Sequence, residues 1–249
     1  MAQSGYGKLD YKFDFMGAEI PVAGTGAYGG TGTAGYKLGE FKVTGDLTRN
    51  DCGVVSLAKS GGWGRLTSSA SADGDGCAVG TEVIYSPTLN GPLAVEARVE
   101  SQILTARTFW LGFADVNADD VAEPVTNSSS TVITLTASDL AGFHFDSQLT
   151  DSDWILVHNG GTTTGVTVVA DIDADEDPVA GESQILRVEI DRDGTVRWII
   201  NGDLKQTVTN AVSPTVLLAA YVGVWSTTTT AADLDVDYLA VEANRDWTV

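Results

Sequence analysis

Carboxylates are the side chains of this sequence most able to do chemistry, and they gather in three places. The first is Glu189-Ile190-Asp191, inside "RVEIDRDGTVRWIINGDL", residues 187–204. Two residues apart on an extended strand, Glu189 and Asp191 share one face. Glycoside cleavage with retention needs two carboxyls about 5–5.5 Å apart, one as nucleophile and one as acid/base. A Glu-x-Asp-x-x-Glu strand supplies such a set. Here its third acidic position falls on Gly194. The second place is "DIDADEDPVAGE", residues 171–182. Asp171, Asp173, Asp175 and Asp177 alternate, and Glu182 stands at the twelfth position. The spacing imitates a helix-flanked calcium loop, but Glu176 holds the position where that loop needs glycine, and Pro178 breaks the flank. Asp171, Asp173, Asp175 and Asp177 are therefore candidate Ca²⁺ ligands in some other loop geometry. The bland alternative is a solvated acidic loop between strands. The third place, "DVNADD", offers Asp115, Asn117, Asp119 and Asp120 on the same two readings.

Other reactive sets are missing from the sequence. There are two histidines, His144 and His158, each alone in an apolar run and each expected as a partly buried sheet residue. No Gly-x-Ser-x-Gly elbow, phosphate loop or His-Glu-x-x-His occurs. The expectation is a protein that is not an enzyme. Of the six tryptophans, Trp110, Trp154, Trp198 and Trp225 lie in apolar strands and suit a core. Trp63 and Trp247 are better candidates for exposure, to a sugar or to another subunit. Cys52 and Cys77 both sit in glycine-rich segments, where they could pair or remain free thiols.

These groups need strands to position them, and strands are what the pattern provides. "LAVEARVES" alternates: Leu93, Val95, Ala97 and Val99 on one face, Ala94, Glu96, Arg98 and Glu100 on the other. That is an antiparallel strand with one face buried. In the 187–204 stretch, matching apolar faces pairs residue 190 with 196 and 188 with 198, and sets Glu189 opposite Arg197. Arg192-Asp193-Gly194 is left as a three-residue loop, with Gly194 at the left-handed position. Many such segments, broken by turn residues, predict an antiparallel β-sandwich or barrel. Residues 1–40 differ. "VAGTGAYGGTGTAGYKLGE" is rich in glycine and has little to bury. The sequence therefore predicts an extended N-terminal arm over 1–40 and a sandwich domain over 41–249. The arm either stays flexible or orders on a neighbouring subunit through aromatics such as Tyr11, Phe13 and Phe15.

Acidic residues outnumber basic ones 34 to 14, giving a net charge of −20. Nucleic acid and anionic membranes are thereby excluded as expected partners. The first residues, "MAQSGYGKLDYKFDF", contain no apolar h-region, so no secretory signal is expected.

Beyond composition, "ILRVEIDRDGTVRWIINGDL" resembles the strand-turn-strand of concanavalin A-like and laminin G-like jelly rolls. "TVLLAAYVGVWSTTTTAADLDVDYLAVEANR", with Asp237-Tyr238 in its last strand, is similar to the same fold. The order of "LAVEARVES", "TFWLGFADVNADD" and "LAGFHFDSQLTDSDWILVHNGG" resembles one subset, the jelly-roll proteins among tailed-phage virion genes. The resemblance spans about residues 80–245. It implies a virion structural protein, a decoration or cement subunit bound to the major capsid protein, made in the host cytoplasm and forming a homo-oligomer. Two alternatives go with it: a glycan-binding, lectin-like module on a tail or fibre, and a glycoside hydrolase with a degenerate site.

Overall fold

The structure is a computed structural model, and it describes residues 7–16, 37–45, 53–68, 73–117 and 122–245. Two antiparallel sheets carry the chain. The first runs, in spatial order, β15 (Asp203–Val208), β14 (Val196–Ile200), β13 (Ser183–Ile190), β7 (Leu93–Glu100), β17 (Asp233–Asn244), β5 (Trp63–Thr67) and β4 (Gly53–Leu57). β1 (Lys8–Phe13) pairs with the far half of β17. The second sheet runs β12 (Ile155–Asn159), β11 (Leu140–Asp146), β8 (Arg107–Ala114), β16 (Ala219–Ser226), β6 (Gly76–Gly80), β3 (Phe41–Gly45) and β2 (Lys37–Leu38). A separate hairpin joins β9 (Val125–Ser129) to β10 (Val132–Leu135). The fold class is the all-β antiparallel sandwich that the alternation predicts. Among the described residues, no helix is long and apolar enough to cross a membrane.

The alternation in β7 does what period-2 patterning requires. Val95, Ala97 and Val99 are buried between the sheets, while Glu96, Arg98 and Glu100 stay partly exposed. β13 and β14 pair in the expected register, Val188 with Trp198, Glu189 with Arg197 and Ile190 with Val196. Gly194 takes φ +81°, a conformation that strains any residue with a Cβ. The next hairpin turns on Asn201 (φ 53°) and Gly202 (φ 91°), both left-handed, as a two-residue turn needs. Between the sheets, Leu186, Val188, Ile190 and Trp198 meet Phe109, Leu111, Phe113, Phe143 and Phe145 in one core.

The segment expected as an arm is only partly described, and what is described belongs to this chain's own sandwich. Lys8–Phe13 lies along β17, from Lys8 opposite Asn244 to Phe13 opposite Leu239. Phe13 and Phe15 meet edge to face, with ring centroids 5.0 Å apart, and both are buried in the main core. The physical reason is that "KLDYKFDF" alternates polar and apolar residues, a pattern that a free sheet edge can use. Residues 17–36 lie outside the described residues.

A second hydrophobic cluster occupies the outer face of the second sheet. There Trp110, Tyr221 and Trp225 pack against Val125, Ile133, Leu149, Val157 and Ile172. Five glycines make this possible. A Cβ on Gly142 would lie 2.5 Å from the Trp110 ring, and one on Gly76 or Gly223 would lie 2.2 or 2.5 Å from the Trp225 ring. A Cβ on Gly112 would lie 2.9 Å from Trp110, and one on Gly80 2.2 Å from Tyr221 Cβ. The rings therefore lie directly against bare backbone.

Candidate functional site

The Glu189–Asp191 face is the outer face of the first sheet, and arginines engage both carboxylates. Glu189 accepts from Arg187 Nε at 2.8 Å, while Arg197 stands 4.0 Å away. Arg197 gives its close contact, 2.5 Å, to Asp191. Arg197 stands opposite Glu189 as the alternation predicts and pairs with it at that longer distance, while Arg187, on the same strand, makes the shorter contact. Arg187 also reaches Glu96 and Glu242, each at 3.3 Å; burial opposes its charge, but the hydrogen bonds to Glu189 and Glu242 hold its guanidinium well above the ordinary value. Tyr238 donates to Glu96 Oε1 at 2.6 Å, and burial followed by that contact pushes the phenol up. Further along, Asp235, with 1% of its side chain exposed, accepts from Arg65 Nε at 2.7 Å and Lys59 at 3.2 Å. Trp63, expected to be exposed, is buried beneath Lys59, whose Nζ stands 4.6 Å from its ring centroid, and Arg98. This face is a lattice of ion pairs.

The acidic loop at 171–182 is brought together in part. Val169–Asp171 forms a single 3₁₀ turn. Ile172 and Ala174 point inward and are buried, which throws Asp173 and Asp175 outward. These two converge with Asp153, their carboxylate oxygens all lying within 4.8 Å of one another. Burial, a hydrogen bond with Asp177 and the charges of Asp151, Asp177 and Asp173 push Asp153 up to about 7. Asp177 also accepts from Ser152. Asp171 is exposed and stands outside that trio. Three convergent carboxylates are hard oxygen ligands of the kind calcium takes. Asp153 was not foreseen. It comes from a different loop, "DSDW", brought alongside by the bridge between Ile155 and Asp173. In the other acidic stretch, Asn117 is buried and structural, donating to the Thr81 carbonyl at 2.7 Å and accepting from Thr44 at 3.0 Å. Asp119 and Asp120 lie outside the described residues. Cys77 is a free, buried thiol in contact with the Gly53 carbonyl at 3.5 Å, and Cys52 also lies outside them.

A third arrangement, unread in the sequence, lies where the outer face of the second sheet meets the β9–β10 hairpin. A cleft of about 240 Å³ opens there, lined by Asp73, Glu123, Asn127, Asp146, Gln148 and Thr227 among others. Asn127 Nδ2 donates to Asp146 Oδ2 at 2.9 Å and to Gln148 Oε1 at 2.6 Å, and the Gln148 backbone N–H donates to Asp146 Oδ1 at 2.8 Å. Burial, reinforced by Asp146 and Asp73, pushes Glu123 up to about 8. Burial also raises Asp146. In the sheet, Asp146 stands opposite Thr108, and His144 stands opposite Trp110. Among the described residues, Thr108 Oγ1, Trp110 Nε1 and both His144 ring nitrogens find no hydrogen-bond partner, although all three residues are buried.

The architecture defines a class, the all-β antiparallel sandwich, and solved structures share it. A protein of unknown function from Shewanella oneidensis MR-1 superposes with a TM-score of 0.63 at 12% identity, over 98% of this chain and 89% of that one. The apo Crh5 transglycosylase superposes with a TM-score of 0.53 at 14% identity, over 95% of this chain and 84% of that one. At such identities the likeness shows the fold alone. No protein-family model matches the sequence, and no curated protein matches it.

Proposed function

We propose that the chain is a structural protein of a tailed-phage virion, a decoration subunit seated on the outer capsid lattice. The observation that carries this reading is the state of β13. The fold is shared with a transglycosylase, yet on the strand most like a glycosidase site Glu189 and Asp191 are held by Arg187 and Arg197. Gly194 stands where a third acid would be needed. The face works as a rigid charged wall.

A docking end supports the same reading. Pairing of Ile84 and Tyr85 with Leu218, and of Thr88 with Pro214, brings Ile84, Leu89 and Leu217 to one end of the sandwich. They are 52%, 41% and 50% exposed. On a protein of net charge −20, an apolar end is a natural seat on a virion subunit, leaving the acidic walls in solvent. Many such weak contacts on one lattice add up through avidity.

The test is the copy number of this chain in gradient-purified particles from its source, by quantitative mass spectrometry. Copies matching the capsid lattice support the reading. A handful per particle moves the protein to a tail or fibre, and absence from particles overturns it.

A further inference from the structure

We propose that the two ends of the sandwich are the halves of one head-to-tail contact: the Ile84–Leu89–Leu217 end of one chain seats on the opposite end of a second copy. The inference rests on the structural role in one respect, the use of that end as a seat, and it names the subunit met there.

One strand separates the ends. β7 runs from Leu93 to Glu100, about 26 Å. Beside Leu93, the Gly91 carbonyl accepts from Arg192 Nε at 2.9 Å and from Asn244 Nδ2 at 2.8 Å. These bonds bring Arg192 and Arg245 to the end that carries Ile84, Leu89 and Leu217, and Lys8 joins them opposite Asn244. All three cations are exposed. Asp193 lies beside them and accepts from the Thr195 N–H at 3.0 Å.

The other end has the opposite charge around a similar centre. Ile103 and Val179 are 53% and 47% exposed there. The Gly181 N–H donates to the Ser101 carbonyl at 2.8 Å, which holds the loop of Val179 beside that of Ile103. Val179 also lines a shallow apolar pocket with Val99, Leu104, Phe109 and Trp154. Around this patch Asp175, Asp177 and Glu182 are exposed. Nearby cations are already engaged: Lys59, Arg98 and Lys205 pair with Glu100, Asp237 and Glu176, and Arg107 is buried. Five of the ten exposed large hydrophobics among the described residues thus lie at the two ends. Such clustering marks contact surfaces, where single scattered side chains would not.

Each end complements the other and not itself. Like ends in contact would face cations with cations or carboxylates with carboxylates, which is costly at an interface. Unlike ends join apolar centre to apolar centre, with a basic rim against an acidic one. At a net charge of −20 general repulsion opposes association, so a contact has to be directional. A contact between unlike ends is heterologous. Each added chain leaves a free end, so growth runs past a dimer, into a ring or an open column.

The experiment is sedimentation velocity of the full chain at concentrations up to about 1 mM, where even a millimolar contact is half filled. Growth beyond a dimer is expected. Leu217→Asp blocks one end and Val179→Asp the other; both residues are about half exposed, and the urea midpoint checks that each variant keeps the fold. Each variant alone is expected to stay monomeric. Their equimolar mixture is expected to form one-to-one dimers and nothing larger, because each chain then offers a single working end. Glu182→Lys reduces the net negative charge, which eases general repulsion, yet it should weaken growth about tenfold by reversing the acidic rim. The proposal is overturned by a wild-type chain that stays monomeric, by growth that stops at a dimer, or by a blocked variant that still self-associates. A mixture that stays monomeric overturns it too, as does stronger growth with Glu182→Lys. Association in solution by a chain absent from particles would keep this contact and remove the virion role; the reverse pair of results would remove the contact alone.

Discussion

His144→Phe is expected to remove the acid limb of the protein's stability profile. Burial pulls the His144 imidazole from 6.5 down to about 3. The folded protein therefore refuses a proton that the unfolded chain accepts below about pH 6.5. Unfolding then takes up a proton, and stability falls as pH drops from about 6.5 to about 3. At ~1.36 kcal/mol for each step of one in pKa, the full loss is about 5 kcal/mol. By pH 4 about 3 kcal/mol of it is gone. Glu123 works in the opposite direction. Its folded pKa is raised from 4.5 to about 8, so its burial penalty is present above pH 8 and is relieved as pH falls toward 4.5. Where the two windows overlap, between about pH 6.5 and 4.5, their slopes cancel, and the wild-type protein should be near its most stable. The assay is urea denaturation, followed by tryptophan fluorescence, at steps from pH 3.5 to 8.5. The quantity compared is the difference between variant and wild type, because the raised Asp146, Asp139 and Asp153 carboxyls contribute to both. Phenylalanine fills the same space without nitrogens, so the variant should match wild type to within about 1 kcal/mol at pH 7.5. At pH 4 it should exceed wild type by about 3 kcal/mol. Glu123→Gln should flatten the alkaline limb between about pH 8 and 6.5 and leave the His144 slope uncompensated between about pH 6.5 and 4.5. If His144→Phe leaves the acid limb unchanged, the imidazole is not held neutral by burial, and the reasoning fails.

Asp235→Ala leaves Arg65 and Lys59 without their nearly buried acceptor and should cost about 3 kcal/mol in the same urea assay; a loss near zero would mean that the pairs are solvent-screened. Gly142→Ala drives a Cβ to 2.5 Å from Trp110 and 2.7 Å from the Leu111 carbonyl. It should lower the melting temperature by many degrees, and an unchanged melt would show that the Trp110 ring can lift off the sheet. Phe15→Ala should cost about 3–5 kcal/mol, because the ring is fully inside the core; a cost below about 1 kcal/mol would return β1 to the status of a dispensable arm. Asp153→Asn should raise the midpoint in chelator at pH 8 by relieving crowded carboxylates, and added calcium should raise wild type but not the variant. Identical midpoints in all four conditions would mean that the Asp153–Asp173–Asp175 trio is not gathered in solution.

The hairpin at 187–204 was legible to the residue because everything that sets it is local. Period-2 alternation fixes the faces, and Gly194 and Asn201-Gly202 fix the turns. Strand β8, "RTFWLGFA", was harder. Both its faces are buried, so no alternation marks which residues face the core and which carry the outer cluster. The tiling of Trp110 and Trp225 on glycines depends on cross-strand neighbours that a linear sequence does not pair. β1 looks like part of an arm in the sequence because its partner strand lies at the other end of the chain. The closer contact of Arg187 with Glu189 is not legible in the sequence, because Glu96 and Glu242, which help place its guanidinium, come from two other strands. Asp153 and Glu123 are single acids in unremarkable loops, and only the bridges around β9 and β12 carry them to Asp173 and Asp146.

The β1–β17 pairing also sets how this domain bears load. Gly7 and Arg245 are tied by a backbone hydrogen bond of 2.7 Å, at the open end of an antiparallel pair. Tension applied between these two points pulls at right angles to the strands and meets the hydrogen bonds one after another, as in a zipper. Each opens before the next is loaded, so peeling should begin at low force and advance toward Phe13. There the edge-to-face contact with Phe15 and the core around it form the first firm stop. A shear pull along β17, by contrast, would load the whole row at once. The direction of pull decides whether the strand peels or holds.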